Sequence, residues 1–476
     1  MPDMNSPSSA DEMNALLQAQ KRAHLAAGPL PATTRKEWLD RLIGLLVDHK
    51  DEIAETISRD FGNRTRELSL LADVIGSINE LKFARDHLDE WMKPEIHTSL
   101  FPDAQARVDY VPLGTVGLLS PWNFPVNLTF APLAGIIAAG NRCMIKPSEL
   151  TPATSDLIAR MIRSQFDETE ISVILGGPDI ATLFSELPFD HLLYTGSTSV
   201  GRHVMRAAAT HLVPVTLELG GKSPVIISDS APIEDAAARV MTIKTLNAGQ
   251  ICLAPDYVLL PRQKLDAFCE AAITATGKIF PTLADNPEYT AIINERHHTR
   301  LQSYLQDARD RSVRIMEINP AHEAFEGQNV NRMPPALVIE PPPDAKIMQE
   351  EIFGPLLPVL TYDNIDQAID FVNARGRPLA LYYFGQDADE ETRVISRTNS
   401  GGVTVNDVMA HAFSDTLPFG GVGPSGMGAY HGKAGFLTFS HARAIYRQSK
   451  AVEAEYALRG PFGDAMHAYI TATAVR

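Results

Sequence analysis

The chain has 476 residues, and its 42 Lys and Arg against 58 Asp and Glu give a net charge of -16. This length predicts two or three domains, and a hydrophobic content of 45% is typical of a globular protein with a substantial core. An acidic chain of this kind carries no basic footprint for nucleic acid. Its three cysteines support neither a disulfide framework nor a cysteine-rich metal site, so we expect a reducing compartment and no metal.

The first residues, Met1-Pro-Asp-Met-Asn-Ser6, are polar and contain no apolar signal core. The longest apolar stretches are too short and too interrupted to span a membrane. We therefore expect a cytoplasmic protein without a membrane partner.

Helices are predicted first in chain order. Residues 11–60 are rich in helix formers, and residues 64–93 predict a second helix because apolar side chains recur there at helical spacing. The alternating run 106–111 then predicts an exposed strand or arm.

From residue 113 onward, short apolar strands alternate with helices, which predicts parallel β-α-β units with helices on both faces of a sheet. The predicted strands and helices of this part are 116–120, 133–139, 142–146, a helix opening near 151, 171–175, 191–194 and 198–210. A second alternating region runs over 225–384, and a glycine-rich turn at 420–428 precedes a C-terminal part without a strong pattern.

Cys252 is a candidate nucleophile, because a Gly-Gln pair before it and an Ala-Pro pair after it predict a loop that exposes the thiol. A lone cysteine is more often a small buried hydrophobe, which is the interpretation that suits Cys143 and Cys269. Upstream, Glu218 ends an apolar run beside two glycines, where a carboxylate is either solvated or held in a cleft. A thiol can add to a carbonyl, and a carboxylate can activate water to cleave the adduct.

Asn123 lies between prolines in Pro121-Trp-Asn-Phe-Pro125. An asparagine in such a loop often satisfies its own backbone, but its amide can also stabilise an oxyanion without entering proton transfer.

Two segments predict a nucleotide site. Lys146-Pro-Ser-Glu149 follows the end of an apolar strand, at the edge where open α/β sheets bind ligands. The same residues are also typical of a helix N-cap. Gly196-Ser-Thr-Ser-Val-Gly201 joins a predicted strand to a helix, which suits a pyrophosphate above the helix N-terminus. Arg202-His203 follows, so this is not a P-loop, and an ordinary helix cap would also explain Ser197.

Together these segments resemble the aldehyde dehydrogenase superfamily. Two further blocks occur in the same order as in that family, Glu351-Ile-Phe-Gly-Pro355 and Leu417-Pro-Phe-Gly-Gly-Val-Gly423. The resemblance implies that Cys252 is the nucleophile and Glu218 the general base. It further implies that Asn123 stabilises the oxyanion together with the backbone N–H of the nucleophile.

The resemblance also implies a nicotinamide cofactor. Lys146 would bond the adenosine ribose hydroxyls, and Glu149 near the 2′-OH would repel a 2′-phosphate, so NAD is favoured and NADP is the alternative. Glu351 would hold the nicotinamide ribose, with Phe353 near the ring and Glu350 solvated or outside the site. The remaining cofactor-binding candidates are Trp122, Gly196 and Ser197.

Several strings resemble the class-3 branch of the family, among them Asn406-Asp-Val-Met-Ala-His411 and Gln250-Ile-Cys-Leu-Ala-Pro-Asp-Tyr257. Within that branch the chain is most similar to the bacterial enzymes that oxidise coniferyl aldehyde. The expected substrate is therefore an aromatic or cinnamyl-type aldehyde, with medium- or long-chain aliphatic aldehydes as the alternative. The expected substrate pocket is formed by Phe124, Ile251, His411 and Phe413, with Trp122 and Phe413 being equally interpretable as core residues.

The fold that the resemblance implies is α/β. A Rossmann-type cofactor domain would comprise 1–96 and 113–219, and a second α/β catalytic domain 220–408. A β arm would comprise 97–112 and 409–447, including a strand near 435–447, and a tail would follow at 448–476. The exposed edge of such an arm is a template for pairing, so we expect a homodimer.

Three other functions remain open. A CoA-acylating dehydrogenase would release the thioester to CoA and would not need Glu218. A thiol hydrolase would pair Cys252 with His203, His211 or His411 and would need no nucleotide. A binding protein on a retired enzyme fold would have no activity.

Overall fold

The computed structural model describes residues 9–99, 103–325, 327, 330–450 and 460–475. Three β-sheets organise this part of the chain, with six, seven and three strands. The two larger sheets are mostly parallel and carry helices, which confirms the predicted α/β class.

The N-terminal region is helical, as predicted, and residues 11–60 are divided among three helices. Its helices are α1 Ala10–Ala27, α2 Ala32–Asp48, α3 Lys50–Phe61, α4 Arg66–Leu68 and α5 Gly76–Trp91, with a π-helical segment at Ser69–Ile75. The first break occurs where Gly28 takes a φ of 64° and Pro31 lacks an N–H. The predicted helix over 64–93 is nearly continuous, and its π-helical segment adds a residue to one turn.

The six-stranded sheet has the strand order β15-β7-β6-β3-β4-β5. Its strands are β3 Thr115–Leu119, β4 Arg142–Lys146, β5 Ile171–Val173, β6 His191–Gly196, β7 Val215–Leu219 and β15 Gly426–Met427. All neighbours are parallel except β15, which runs antiparallel to β7. The associated helices are α6 Asn127–Ala138, α7 Pro152–Gln165, α8 Pro178–Ser185 and α9 Thr198–Ala209.

The seven-stranded sheet has the order β10-β11-β12-β9-β8-β13-β14, and only β10 is antiparallel to its neighbour. Its strands are β8 Pro224–Ile227, β9 Tyr257–Pro261, β10 Arg314–Glu317, β11 Ala336–Ile339, β12 Leu356–Tyr362, β13 Ala380–Phe384 and β14 Gly402–Val405. Its helices are α10 Ile233–Thr245, α11 Leu265–Ile279, α12 Glu295–Asp310, α13 Lys346–Gln349, α14 Ile365–Asn373 and α15 Ala388–Arg397.

The arm is a three-stranded antiparallel sheet made of β1 Glu95–His97, β2 Gln105–Pro112 and β16 Ser440–Arg447. Only the end of the predicted arm segment 409–447 joins it. The strand expected near 435–447 begins at residue 440, because the preceding residues form helix α16, Gly432–Thr438. Gly435 of that helix lies against Gly135 of α6, a close approach that a side chain at residue 135 would prevent.

The predicted tail contains one described helix, α17 Asp464–Thr473, whereas residues 451–459 and 476 lie outside the described residues. Residues 1–8 of the predicted cofactor domain and 100–102 of the predicted arm also lie outside them. The domain boundaries themselves remain predictions. Among the described residues, no helix combines the length and the apolar character that crossing a membrane requires.

Candidate active site

A cavity of about 290 Å³ contains both Cys252 and Glu218 in its wall. We call it the substrate cavity. It lies among the π-helical segment, α5, the start of α6, the Cys252 loop and the segment 409–431. Its remaining wall is largely apolar and includes Leu71, Ile75, Phe124, Leu128, Ile251, Leu253, Met409, Phe413 and Phe419.

The loop before Cys252 has an unusual backbone, with positive φ at Asn247, Ala248 and Gly249. A side chain on Gly249 would collide with the backbone of Gly354, so this position requires glycine. On the other side of Cys252, the Tyr382 hydroxyl donates a 2.6 Å hydrogen bond to the Leu253 carbonyl. These contacts fix the half-buried thiol.

Burial raises the pKa of the Cys252 thiol, and the negative charges of Glu218 and Glu351 raise it further. The thiol therefore rests in its neutral form near pH 7 and needs an acceptor for its proton before it can act as a nucleophile.

Glu218 lies near the end of β7, opposite Thr195 on β6 and Gly426 on β15. Its side chain is nearly fully buried, with 2% of the residue exposed, and neither oxygen has a hydrogen-bond partner among the described residues. Burial raises its pKa well above the ordinary value. A buried carboxyl with an elevated pKa and no fixed partner is suited to accept and release protons.

Asn123 is buried beside the Cys252 loop but is not among the residues that line the cavity. Its Nδ2 donates to the Gln250 carbonyl at 3.2 Å, two residues before the thiol. The backbone carbonyl of Asn123 accepts hydrogen bonds from Arg64 Nη1 at 2.9 Å and from Asn247 Nδ2 at 3.2 Å. The amide has a second N–H, which these contacts leave available.

A second, larger cavity of about 740 Å³ runs along the carboxyl edge of the six-stranded sheet. We call it the cofactor groove. Thr195 lines both the groove and the substrate cavity, so the two spaces meet beside Glu218. Five of the seven predicted cofactor-binding residues line the groove: Trp122, Lys146, Glu149, Gly196 and Ser197.

The groove combines a buried cation with a helix N-terminus. Lys146 Nζ donates to the Pro147 carbonyl at 2.7 Å and lies 3.7 Å from Glu149 Oε2. Burial lowers the pKa of Lys146. Ser197 caps α9, because its hydroxyl accepts a hydrogen bond from Val200 N at 3.4 Å. Ser197 and Val200 both line the groove, so the N-terminus of α9 lies at its wall.

Glu351 and Phe353 do not line the groove: Glu351 lines a separate cleft with Thr198 and Gly220, and Phe353 contacts Trp122 of the groove wall. Glu351 approaches Gly220 too closely for any side chain there, and its Oε1 has no hydrogen-bond partner among the described residues. Burial and the nearby Asp256 raise the pKa of Glu351 to about 8. Phe353 packs edge-on against Trp122 with ring centroids 5.3 Å apart.

Glu350 is held away from this site, because the Tyr304 hydroxyl donates to its Oε2 at 2.8 Å. The neighbouring Glu351 is therefore the carboxylate of this pair that remains free to meet a ligand.

Three of the four predicted pocket residues line the substrate cavity, namely Phe124, Ile251 and Phe413. Phe413 is 71% exposed, so its interpretation as a core residue is wrong. His411 does not line the cavity. Its Nδ1 lies 2.7 Å from Thr404 Oγ1, and its ring fills the space beside Gly402.

His431 is the histidine that lines the cavity instead. Burial lowers its pKa to about 4, so its imidazole is neutral at pH 7. Of the histidines considered for a thiol hydrolase, His203 lines the cofactor groove and His211 a separate surface cleft. None of those three therefore faces Cys252 in the cavity.

Comparison with known proteins identifies the family. The model of the aldehyde dehydrogenase family matches residues 5–445. The chain belongs to the aldehyde dehydrogenase family. It is 56% identical to the "Probable coniferyl aldehyde dehydrogenase" of Caulobacter vibrioides, over 96% of both chains. It is 53% identical to the coniferyl aldehyde dehydrogenase of a Pseudomonas strain, over 98% of this chain and 97% of that one.

A solved structure of this family has the same fold. The substrate-bound AldH of Staphylococcus aureus is 36% identical and superposes with a TM-score of 0.90 over 97% of this chain and 99% of that chain. The predicted family, its fold and its activity, the NAD(P)-dependent oxidation of an aldehyde, are confirmed.

The residues of an aldehyde dehydrogenase cofactor site fit a nicotinamide dinucleotide here. The groove offers the Lys146 ammonium and a helix N-terminus to a phosphate-bearing ligand, while Glu351 has an unpartnered buried oxygen. His297, which sequence reasoning missed, also lines the groove, packs 5.2 Å from the Trp122 ring and leaves both ring nitrogens without partners among the described residues.

Sequence reasoning missed further residues of the substrate cavity, above all Glu80, Asp415 and Tyr430. Tyr430 lies in Gly423-Pro-Ser-Gly-Met-Gly-Ala-Tyr-His-Gly432, a further string that resembles the class-3 branch, within the segment predicted to belong to the arm. Glu80 had no local signal, because it is one charged residue on a helix with several. A buried partner can be recognised only when the distant segments that surround it are known.

Proposed function

We propose that this protein catalyses the NAD-dependent oxidation of an aromatic or cinnamyl aldehyde, such as coniferyl aldehyde, to the carboxylic acid. The observation that carries the proposal is the shared cavity. Cys252 and Glu218 line one small, largely apolar space that meets the cofactor groove at Thr195.

In the first step, Cys252 adds to the aldehyde carbon. Its thiol proton goes to a base, and the S–C bond forms as the carbonyl oxygen becomes an alkoxide. The raised pKa of the thiol makes this base necessary, and solvent water can serve because the thiol is only half-buried.

The alkoxide is stabilised by the Asn123 amide and the backbone N–H of Cys252. This role is supported by the hydrogen bond from Asn123 to Gln250, which keeps the amide beside the nucleophile loop. When bound in the groove, NAD(P) supplies the acceptor for the hydride that leaves the aldehyde carbon.

In the last step, Glu218 takes a proton from water, which attacks the thioester as Cys252 leaves as the thiolate. Both Glu218 oxygens lack hydrogen-bond partners among the described residues, which supports this role because a water molecule can bond to them. Release to CoA would not require such a base, so the CoA-acylating alternative is less well supported.

The choice of substrate rests on the cavity wall and on the relatives. Phe124, Phe413, Phe419 and Tyr430 provide aromatic surfaces for a flat ring. A volume of about 290 Å³ is at the small end of ligand cavities, near the lower bound of about 300 Å³. It favours a substrate with one ring. Medium-chain aliphatic aldehydes are the second candidate, because the Leu and Ile side chains in the wall also suit an alkyl chain.

The preference for NAD over NADP is supported by Glu149. Its carboxylate lines the groove 3.7 Å from Lys146, so a phosphate bound near Lys146 would meet a like charge.

We also propose a homodimer that forms through the arm. Within the described residues, β1 and β16 are the outer strands of the arm sheet, and their side chains are mostly exposed. An exposed edge strand of this kind pairs readily with another chain. Sedimentation should return a dimer, and a stable monomer or tetramer would contradict this proposal.

The decisive experiment is a panel of kcat/KM values with NAD and with NADP. It should include coniferyl aldehyde, cinnamaldehyde, hexanal, decanal and succinate semialdehyde. We expect the cinnamyl aldehydes with NAD to rank first. A preference for succinate semialdehyde would reject the substrate class, and acyl-CoA as the main product with added CoA would reject hydrolysis.

A further inference from the structure

One part of the substrate cavity is polar, whereas most of the remaining wall is apolar. Glu80 of α5, Asp415, Tyr430 and His431 lie there together. We call these four residues the polar cluster. The steps proposed above use none of them, although they line the same space as Cys252.

The cluster is held together by contacts between distant segments. His431 Nδ1 lies 3.3 Å from Glu80 Oε1, and the backbone N–H of Gly432 donates to Glu80 Oε2 at 3.5 Å. Burial and then the nearby Asp415 raise the pKa of Glu80 to about 8. A carboxyl in that state can both donate and accept hydrogen bonds near neutral pH.

Two polar atoms of the cluster are buried without a hydrogen-bond partner among the described residues. They are the Tyr430 hydroxyl, in a residue that is 1% exposed, and His431 Nδ1, whose contact with Glu80 lacks hydrogen-bond geometry. An unpaired buried hydroxyl is unfavourable, and native proteins rarely keep one without a function or a bound molecule. Both atoms therefore indicate a ligand with a polar group.

Tyr430 lines the same cavity as Cys252, Glu218 and Glu80. Burial raises the pKa of the Tyr430 hydroxyl, and the charges of Glu218, Cys252 and Glu80 raise it further. Because Cys252 and the polar cluster line one cavity, a single ligand can place its formyl group at the thiol and a second polar group at the cluster.

We propose that Glu80, Tyr430 and His431 form a subsite for the ring hydroxyl of a phenolic aldehyde whose formyl group lies at Cys252. This inference rests on the proposed function, because it specifies the distal end of the same substrate. A phenol hydroxyl accepts a hydrogen bond from Tyr430 and donates one to Glu80 or to the neutral His431. The aromatic side chains Phe124 and Phe419 then contact the ring between the two ends.

The test compares two aldehydes that share the reacting end. Coniferyl aldehyde carries the ring hydroxyl, and cinnamaldehyde lacks it. In Tyr430→Phe and in Glu80→Leu, the ratio of kcat/KM for coniferyl aldehyde over cinnamaldehyde should fall roughly tenfold, the effect of one buried hydrogen bond to a substrate. Glu80→Gln retains an acceptor oxygen and should keep most of the ratio.

Tyr362→Phe is the matched control. Its hydroxyl is buried and donates to the Ile227 carbonyl at 2.8 Å, but it does not line the substrate cavity. The ratio should be unchanged there. Because the ratio cancels losses common to both substrates, a partial loss of folded protein in any variant does not alter it.

The outcomes separate the two proposals. If the wild-type protein oxidises neither aldehyde but oxidises alkanals, the proposed function fails before any variant is made. If it oxidises both equally well, or if Tyr430→Phe lowers both kcat/KM values by the same factor, the phenol subsite is rejected and the proposed function stands. A selective loss of the coniferyl aldehyde rate in Tyr430→Phe and Glu80→Leu supports the subsite.

Discussion

The Arg64 guanidinium lies 2.6 Å from the Asp73 carboxylate, and both side chains are fully buried. Arg64 also donates to the Asn123 carbonyl, and Asp73 accepts from the backbone N–H groups of Val126 and Asn127. The pair thus holds Asn123 and the C-terminal end of the loop that carries it. Asp73 lies in the π-helical segment, which connects that irregular turn to the site.

Removing Asp73 should destabilise the protein strongly. In Asp73→Ala the Arg64 charge is left buried without its partner, which costs about 3–5 kcal/mol in the free energy of unfolding. Urea denaturation measures this loss. Asp51→Ala is the control, because its ion pair with Arg66 is exposed and should contribute little. Equal stability of the two variants would contradict the structural role of the Arg64–Asp73 pair.

Replacing Cys252 should abolish turnover without abolishing cofactor binding. In Cys252→Ala we expect NADH production to fall by at least about a thousandfold, because the covalent step has no substitute nucleophile. NAD binding, measured by calorimetry, should be retained. Cys269→Ala removes a buried thiol of α11 and should keep nearly wild-type activity. Normal turnover by Cys252→Ala would exclude it as the nucleophile.

Glu218→Gln should separate the two halves of the reaction. The amide cannot take a proton from water, so the thioester should accumulate after one hydride transfer. Stopped-flow absorbance should then show a burst of about one NADH per active site, followed by a slow steady state. The acyl-enzyme should appear by mass spectrometry as an adduct on Cys252. A steady rate equal to wild type would show that another group activates the water.

The pH dependence of thiol reactivity should also depend on Glu218. Because burial and the Glu218 charge both raise the pKa of Cys252, its thiolate and hence its alkylation by iodoacetamide should increase as pH rises. Removing that negative charge in Glu218→Gln favours the thiolate, so the midpoint should move to lower pH. Alkylation rates between pH 6 and 10 measure it. A midpoint that stays fixed or rises would contradict the electrostatic coupling.

Glu149 should govern the choice between the two cofactors. Replacing it by Ser removes the like charge near a 2′-phosphate, so the ratio of kcat/KM with NADP over NAD should rise about tenfold, which corresponds to about 1.4 kcal/mol. Glu168→Ser, at an exposed site outside the groove, should leave the ratio unchanged. If Glu149→Ser does not alter the ratio, the preference is set elsewhere in the groove.

The sequence predicted the sheet that carries the cofactor groove, because each of its central strands is a short apolar run followed by a recognisable turn. Lys146 ends β4, and Ser197 caps the helix after β6. Since parallel strands have their carboxyl ends at one edge, these two residues had to approach the same groove. The local sequence pattern was sufficient to predict the position of these two residues, because the direction of a strand determines at which edge of the sheet the following turn lies.

The helical character expected over 11–60 is confirmed, whereas the strand expected near 435–447 begins only at residue 440, because its start depends on packing. Helix α16 replaces the start of that strand, since Gly135 of α6 leaves room for the backbone of Gly435. Intrinsic propensity is too small to decide such cases against a tertiary contact.

The sequence by itself determined the family and the α/β fold, and it predicted the reacting pair, because Cys252 and Glu218 lie in short segments with distinctive neighbours. The tertiary structure alone decided which side chains share the substrate cavity. It selected His431 over His411 and brought Glu80 to Tyr430. The physical reason is that burial and unpaired hydrogen-bonding groups are properties of contacts between distant segments, and no local pattern records them.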